Sequence, residues 1–451
     1  MADQHQTPAA LPAAPGLRRA PEAPIVRSPS VEALRAAVAA DPAGAERQVD
    51  RFWVTVAERG APLLEPSDEP GQCVVTFLWR GAPETQAVLA LVNRVTDRRD
   101  LAASALQHLP GTDVWQLSYQ MPTDWLASYQ LAPDTPPLPA GAGARLGTAA
   151  GPNRAGAEDL ARQPGEQLLA QARPDPRCRH RIASIWGGPG MSAVYAPDAP
   201  RAAEWTPRAQ QPALPRGTLR RRAFDDGRQV WVYEPAVPAP AYDLLVLLDG
   251  RSWAEVADVA AALDHLVAAG LVRPLLVVMP ESAAGMQRTV EFACNPRFVE
   301  QVTDHWLPWI EQRWPIAAQP GRRAVAGQSM GGLAALWLAT REPENFGVAL
   351  AQSGSFWWRS HVPGDPEAEW LTHRLATEPV APVEVHLAVG QRESLLVGPT
   401  GRLADTLRGR GYRVSHEQYC GGHDMLWWRI ALTAGLRRAF APDGGDHDRT
   451  A

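Results

Sequence analysis

A serine flanked by glycines is the residue of this sequence with the clearest chemical potential. Ser329 is the centre of a G-x-S-x-G motif, residues 327–331, which lies between a short apolar run and a helix-forming run. A strand, this motif and a helix in that order are typical of a nucleophile elbow. The hydroxyl then projects from the edge of a sheet, and the N-terminus of the following helix faces the reacting oxygen. The pattern predicts Ser329 as a nucleophile, with a chance match in a glycine-rich chain as the alternative.

A serine nucleophile needs a base that takes its proton. His423 lies in the segment Cys-Gly-Gly-His-Asp, residues 420–424, between the last predicted strand and the last predicted helix. The glycines allow this loop to return over the edge of the sheet. His386 falls inside a predicted strand, and His265 and His305 fall on predicted helices. The sequence therefore predicts His423 as the base.

The acid that holds this base comes between the serine and the histidine in an α/β-hydrolase. Glu393 follows a predicted strand closely and is the predicted acid. The alternative for Glu393 is a surface ion pair with Arg392 or Arg402. Asp405 lies deeper in the next predicted helix, and Asp424 adjoins the histidine in sequence. A Ser–His dyad without an acid also remains open.

Two N–H donors are needed to stabilise the oxyanion of an acyl-transfer reaction. The N–H of Met330 is one, because Met330 follows the nucleophile. The second is expected from the loop after the apolar strand at residues 244–248. The sequence favours the N–H of Arg251, with Gly250 as the alternative.

Two regions of regular patterning surround these residues. From residue 217 onward strands and helices alternate, which predicts a doubly wound, mostly parallel sheet of the α/β class. Before it, short strands separated by turns predict a small all-β sandwich. The predicted organisation is a disordered tail (1–45), a β-sandwich (46–131), a Pro/Gly/Ala-rich linker and irregular segment (132–215), an α/β-hydrolase domain (216–442) and a second tail (443–451).

Composition excludes several other classes of protein. The 451 residues are 45% hydrophobic and 21% charged, with a formal net charge of -5, which gives no case for nucleic acid as the main partner. Four widely separated cysteines have no metal-binding spacing and fit reduced thiols in a cytoplasmic protein. The N-terminal residues lack the apolar core of a secretory signal, and no apolar run is long enough for membrane insertion. The sequence thus predicts no metal and no cofactor.

Several motifs together resemble the enterochelin (enterobactin) esterase family. The segments are VAGQSMGGLAAL (325–336), QSGSFWW (352–358), GGHDMLWWR (421–429), VTFLWR (75–80) and GTDVWQLSY (111–119). The resemblance covers about residues 50–130 and 175–440. It implies a cytoplasmic esterase that hydrolyses the trilactone backbone of ferric catecholate siderophores, with an immunoglobulin-like early-set domain at the N-terminus.

The resemblance also assigns residues. It places the nucleophile on Ser329, the base on His423 and the acid on Glu393. Arg288 coincides with a family arginine near the ligand. The long, low-complexity segment at residues 132–172 is a departure from the family pattern.

The expected substrate, a ferric tris-catecholate, is a trianion with aromatic faces. Arginines beside tryptophans suit it through charge and stacking. Arg251 with Trp253, and Trp357 and Trp358 followed by Arg359, are such groups near the predicted active edge. Core packing is the alternative for each tryptophan.

Two other functions are compatible with the same residues. One is a different serine esterase or acyltransferase, because a fold does not fix its substrate. The other is a siderophore-binding protein without catalysis, against which the presence of both Ser329 and His423 argues. Oligomeric state leaves no trace in the sequence.

Overall fold

The computed structural model describes residues 23–134, 168–185, 188–211, 213–359 and 368–442. Contacts divide the chain into two units. The N-terminal unit contains Arg19–Arg201 and also Cys420–Trp427, whereas the C-terminal unit contains Ala202–Tyr419 and Trp428–Ala451.

The N-terminal unit contains two β-sheets and the C-terminal unit contains one. Those of the N-terminal unit are β1 (Leu63–Pro66), β2 (Gln72–Arg80), β3 (Val88–Val92), β4 (Gln107–His108), β5 (Val114–Pro122), β6 (Leu126–Pro133), β7 (Arg181–Ile182) and β8 (Met191–Tyr195). Those of the C-terminal unit are β9 (Thr218–Ala223), β10 (Gln229–Glu234), β11 (Asp243–Leu247), β12 (Leu275–Pro280), β13 (Arg323–Gln328), β14 (Val348–Gln352), β15 (Glu384–Gly390) and β16 (Arg413–Tyr419).

The C-terminal unit is built on one eight-stranded sheet. Its order is β16-β15-β14-β13-β11-β12-β10-β9. In this order every neighbouring pair from β16 to β12, β11 included, is parallel. Strand β10 pairs antiparallel with both β9 and β12. Strands β11, β12, β13 and β14 are buried along their whole length, as apolar parallel strands covered on both faces should be. The predicted doubly wound, mostly parallel sheet is confirmed.

Helices connect these strands. The α-helices of this region are Val259–Ala268, Gly285–Phe292, Pro296–Glu300, Leu307–Glu311, Met330–Arg341, Trp370–Thr377, Ser394–Gly409 and Met425–Ala439. The sequence pattern predicts a helix over residues 298–314, and the chain is helical from Pro296 to Glu311. A π-helical segment, Gln301–Trp306, separates two short α-helices there. Pro308, which has no N–H to donate, lies just beyond that segment.

The N-terminal unit is a sandwich of two four-stranded antiparallel sheets. Their orders are β1-β2-β5-β4 and β3-β6-β8-β7. The two sheets share one core, in which Phe77 of β2 meets Tyr129 of β6 edge to face at 4.9 Å. Apolar side chains of both sheets are therefore buried between them, and the predicted all-β sandwich is confirmed.

Its boundaries differ from the sequence prediction. Within the predicted tail at residues 1–45, the described part begins at residue 23 and includes the helix Pro29–Ala40. Ser28 caps this helix, and Glu65 accepts hydrogen bonds from the N–H and hydroxyl of Ser30. The prediction missed this anchor because its partner lies 35 residues away.

The predicted linker at residues 132–215 is likewise interrupted by structure. Strands β7 and β8 complete the second sheet, and β8 pairs with β6. The N-terminal unit accordingly extends to Arg201. Residues 135–167 of the predicted linker, and the tails at 1–22 and 443–451, lie outside the described residues.

The four cysteines, Cys73, Cys178, Cys294 and Cys420, are buried and form no disulfide. Within the described ranges no helix has the length and apolar character needed to cross a bilayer. The same ranges contain no cluster of three or more His, Cys, Asp or Glu side chains suited to a metal ion.

Candidate active site

Ser329 occupies a strained turn between β13 and the helix Met330–Arg341. Its φ of 58° and ψ of -121° are unfavourable for a residue with a side chain. The N–H of Ser329 donates to Gln352 O (3.0 Å), and its carbonyl accepts from Ser355 N (3.0 Å). These bonds to the neighbouring strand hold the turn in place. The strand–serine–helix arrangement predicted from the motif is therefore present, with Ser329 half-buried at the carboxyl end of the strand.

Close approach between the strand and the helix explains the glycines of the motif. A Cβ on Gly327 would lie 2.4 Å from the backbone carbonyl carbon of Gly331. A Cβ on Gly332 would lie 3.0 Å from the Cα of Gly354. Neither backbone can give way, so the small residues are needed for the helix to begin directly behind the serine.

We expect Gly327→Ala to distort the elbow. The added methyl must push strand and helix apart, which should lower the free energy of unfolding by roughly 1–3 kcal/mol and displace Ser329. Because a displacement of about 1 Å can cost 10²-fold in rate, esterase activity should fall by about that factor or more. Gly401→Ala is the matched control, because nothing lies within 4 Å of its Cβ position. Thermal unfolding and ester hydrolysis measure both effects; equal behaviour of the two variants would contradict the explanation.

Strain recurs at the ends of three adjacent parallel strands. Asp249 after β11, Ser329 after β13 and Ser353 after β14 all have positive φ values, of 62°, 58° and 46°. Such conformations persist where the surroundings over-determine them, and they concentrate at functional sites. This carboxyl edge of the sheet is thus the candidate active edge.

Glu393 follows β15 at the same edge and is 1% exposed. Its Oε1 accepts hydrogen bonds from the hydroxyl of Ser353 (2.7 Å), the N–H of Gly390 (2.8 Å) and the hydroxyl of Tyr419 (3.2 Å). Trp428 Nε1 donates in turn to the Ser353 hydroxyl (2.9 Å). Three hydrogen bonds to one oxygen fix the orientation of the carboxylate.

The alternatives to Glu393 as the acid have other surroundings. The side chain of Asp405 is 81% exposed and pairs with Arg408 at 3.5 Å. Arg402, suggested as a surface partner of Glu393, binds Glu369 instead, with Nε 3.0 Å from Oε2. Glu393 is therefore buried where Asp405 is exposed, which is compatible with the predicted role of Glu393 as the acid.

The carboxylate of Asp424 accepts hydrogen bonds from backbone N–H groups of its own unit. Its Oδ2 accepts from Ser128 N (2.6 Å), and its Oδ1 accepts from Leu426 N (3.1 Å). Burial raises the pKa of the Asp424 carboxyl, while these backbone hydrogen bonds and the charge of His423 oppose that rise. Asp424 therefore shapes the loop that carries His423.

His423 is half-buried in the loop Cys420–Trp427, which the contacts assign to the N-terminal unit. Its carbonyl oxygen accepts from the side-chain amide of Asn93 (2.8 Å). A Cβ on Gly422 would lie 2.5 Å from Asn93 Oδ1, which explains this glycine. The indole of Trp427 also donates to Leu126 O (3.0 Å). The loop that follows β16 is therefore fixed by residues about 300 positions earlier, among which Asn93 gave no signal in the sequence.

The N–H groups of the predicted oxyanion hole differ in their surroundings. Among the described residues, no acceptor binds the N–H of Met330 or Gly250. The Glu281 carboxyl, in contrast, is close enough to Arg251 to be affected by its charge. Burial raises the pKa of Glu281, and the charge and the backbone N–H of Arg251 act in the opposite direction. Both Gly250 and Arg251 thus stay predictions for the second donor, and we take Gly250 for the proposed mechanism because it directly follows the strained Asp249.

Two of the predicted substrate-binding tryptophans are buried. Trp253 is 0% exposed, and its Nε1 donates to Gln328 Oε1 (3.1 Å). Trp358 is 7% exposed and belongs to the core of the C-terminal unit. The core-packing alternative holds for both in this conformation. Trp357 is half-buried against Trp358, with a centroid separation of 5.0 Å.

The two predicted substrate-binding arginines also differ. The Arg251 side chain is 70% exposed and only loosely paired, its Nε being 3.3 Å from Glu255. Arg288 is 23% exposed and its guanidinium forms two hydrogen bonds with Asp249. Sequence reasoning missed Asp249, Ser353 and the other residues that surround the predicted catalytic side chains.

Comparison with known proteins places both units in one family. The family model described as "Enterochelin esterase, N-terminal" matches residues 74–205, and an esterase family model matches residues 222–439. The iron(III) enterobactin esterase of Dickeya dadantii is 31% identical over 429 residues, covering 87% of this chain and 93% of that protein. The iron(III) salmochelin esterase of Escherichia coli O6:H1 is 30% identical, covering 85% and 92%.

Solved structures agree. The crystal structure of a ferric enterobactin esterase from Salmonella typhimurium superposes with a TM-score of 0.72 at 28% identity, covering 86% of this chain and 98% of that one. An enterobactin esterase from Shigella flexneri, crystallised in the presence of enterobactin, gives a TM-score of 0.71 at 28% identity, covering 86% and 97%. The predicted family is confirmed. The chain belongs to the enterochelin esterase family of carboxylic-ester hydrolases.

Proposed function

We propose that this protein hydrolyses the trilactone ester bonds of ferric catecholate siderophores such as enterobactin, and so releases their iron. The observation that carries this proposal is the likeness of the whole chain, both units included, to proteins named iron(III) enterobactin esterases. A solved relative crystallised with enterobactin supports the same substrate class. The ferric ion here is cargo of the substrate.

The catalytic sequence follows from the residues. Ser329 Oγ attacks a seryl ester carbonyl, and His423 takes the proton of the hydroxyl. The N–H groups of Met330 and Gly250 stabilise the oxyanion of the tetrahedral intermediate. Collapse expels the seryl alkoxide, to which His423 returns the proton. Water, activated by His423, then hydrolyses the acyl-enzyme and frees Ser329.

Glu393 holds the imidazole of His423 in the tautomer that accepts the serine proton. The carboxylate is suited to this role because three donors already fix it on Oε1. A Ser–His dyad is the alternative, in which Glu393 contributes only to folding.

We expect Glu393→Gln to lower kcat by about 10²–10⁴-fold, because a neutral amide cannot stabilise the imidazolium and favours the wrong tautomer. KM should change little. Glu417→Gln, on the neighbouring strand β16 and with a side chain that is 42% exposed, is the matched control. Stopped assays on a ferric trilactone measure both constants; a folded Glu393→Gln enzyme with normal kcat would favour the dyad.

Charge and aromatic surface suit the substrate. Arg251 is exposed next to the candidate oxyanion loop, and Trp357 is half-buried near the end of β14. We include both as substrate-binding residues, because a trianion with catechol rings is attracted by a guanidinium and stacks on an indole. A cytoplasmic location fits four cysteines that form no disulfide.

The proposed function is tested by chromatography of a ferric trilactone after incubation with the enzyme. The expected products are the linear trimer and smaller acyl-serine units, formed by the wild-type protein and not by Ser329→Ala. Cleavage of a simple aryl ester without any cleavage of the trilactone would replace the proposal with another serine esterase. Binding of the siderophore with no hydrolysis of either ester would indicate a binding protein.

A further inference from the structure

The carboxylate of Asp249 is an organising centre next to the nucleophile. Asp249 follows β11, has a φ of 62° and is 8% exposed. It directly precedes Gly250, a predicted second oxyanion donor. A Cβ on Gly250 would lie 2.1 Å from Met279 O, so this segment runs against the end of β12. The position of the donor therefore depends on how the backbone of Asp249 is held.

Both oxygens of Asp249 are saturated with donors. Oδ1 accepts from the hydroxyl of Ser282 (2.6 Å) and from Arg288 Nε (2.6 Å). Oδ2 accepts from Arg288 Nη2 (2.5 Å) and from the side-chain amide of Gln328 (3.0 Å). The Arg288 pair is bidentate, and a charge-assisted pair of this form is among the stronger and more directional hydrogen-bonded contacts.

The same network reaches the nucleophile. Gln328 is the residue before Ser329, and its Oε1 accepts from the indole of Trp253 (3.1 Å). A Cβ on Gly331 would lie 3.2 Å from Asp249 Oδ2 and 3.7 Å from Arg288 Nη2. The Arg288–Asp249 pair thus connects the candidate oxyanion loop to the residues just before and just after Ser329.

We propose that Arg288 and Asp249 are positioning residues, which fix the Gly250 N–H relative to Ser329 through Gln328. This inference rests on the proposed serine-esterase mechanism. The charge of Arg288 is already neutralised by a partly buried carboxylate. Attraction of an anionic siderophore to this guanidinium would require the two hydrogen bonds with Asp249 to break. Arg288 therefore acts on the rate of acyl transfer for any ester.

Kinetics with two substrates test this role. Arg288→Ala and Asp249→Asn are assayed on ferric enterobactin, a trianion, and on p-nitrophenyl butyrate, which is neutral. We expect kcat to fall by about 10²-fold on both esters, as when an oxyanion donor is lost or displaced, with KM nearly unchanged. Arg297→Ala, an exposed arginine on the next helix, is the control expected to retain wild-type kcat.

Arg288→Lys separates geometry from charge. Lysine keeps the charge but lacks the planar fork needed for a bidentate bond. A positioning role predicts that Arg288→Lys recovers only part of kcat on both esters. It also predicts that the Arg288→Ala/Asp249→Asn double variant is hardly slower than either single variant, because both lose one shared interaction.

A different pattern would overturn the inference. If Arg288→Ala raises KM for ferric enterobactin alone, if Arg288→Lys restores it, and if p-nitrophenyl butyrate is hydrolysed at the wild-type rate, then Arg288 binds the siderophore. Thermal unfolding of each variant is measured first, and kcat is expressed per folded enzyme. Arg288→Lys and Asp249→Asn carry the test if Arg288→Ala does not fold. Because the neutral ester reports on acyl transfer alone, the inference stands or falls separately from the proposed siderophore substrate.

Discussion

Ser329→Ala is expected to lower the turnover of a ferric trilactone by about 10⁴–10⁶-fold, because removal of the nucleophile of a serine hydrolase leaves only the oxyanion hole and binding. The side chain is half-buried in a turn whose hydrogen bonds come from its backbone, so the fold should be retained. Loss of rate would then reflect chemistry.

The measurement combines product analysis with covalent labelling. A fluorophosphonate should label the wild-type protein at Ser329 and leave Ser329→Ala unlabelled. Ser355→Ala is a matched control, because Ser355 lies nearby and bonds to Ser329 through its backbone N–H alone. Labelling of Ser329→Ala at the wild-type rate, or turnover within tenfold of wild type, would eliminate Ser329 as the nucleophile.

His423→Ala is expected to lower kcat by about 10⁴–10⁶-fold as well, since in a triad the loss of the base costs nearly as much as the loss of the nucleophile. Without a base no group accepts the proton of the serine hydroxyl during the attack, so the attack is slow. Fluorophosphonate labelling of Ser329 should slow in parallel, because it needs the same proton transfer. The anchoring bond from Asn93 reaches the carbonyl of His423, so the loop should persist in this variant.

His305→Ala is the control, because that histidine is exposed on the π-helical segment Gln301–Trp306. Added imidazole should restore part of the activity of His423→Ala, and should not affect Ser329→Ala. A His423→Ala enzyme that retains labelling and turnover within a few fold of wild type would require another base.

The two expectations differ in what the structure contributes to each. For Ser329 the strained turn, the flanking glycines and the helix behind it form one local unit. For His423 the loop is fixed by Asn93, and Asp424 is bound to Ser128. The proposed base therefore depends on contacts within its own unit.

Local patterns in the sequence determined the fold class, the family and the candidate nucleophile and base. The G-x-S-x-G motif predicts a nucleophile elbow, because only glycine fits where the strand and the helix are in contact. This constraint involves residues that are only a few positions apart in sequence. Alternating apolar and polar residues predict the strands of the sandwich, and continuous apolar runs predict the buried parallel strands, because the sequence pattern reflects which side chains of a strand are buried.

Tertiary structure decided what depends on distant partners. Asp249 is 39 residues from Arg288 and 79 from Gln328 in sequence, and no local pattern predicts that their side chains meet. The sequence predicts Trp253 as a ligand-binding residue because it lies close to an arginine, but in the folded protein its side chain is completely buried. Glu65 accepts a hydrogen bond at the start of the helix Pro29–Ala40 from 35 residues away, a contact that no local pattern predicts. Charge and hydrogen bonding are satisfied by whichever groups the chain brings together, so these roles are set by the folded chain as a whole.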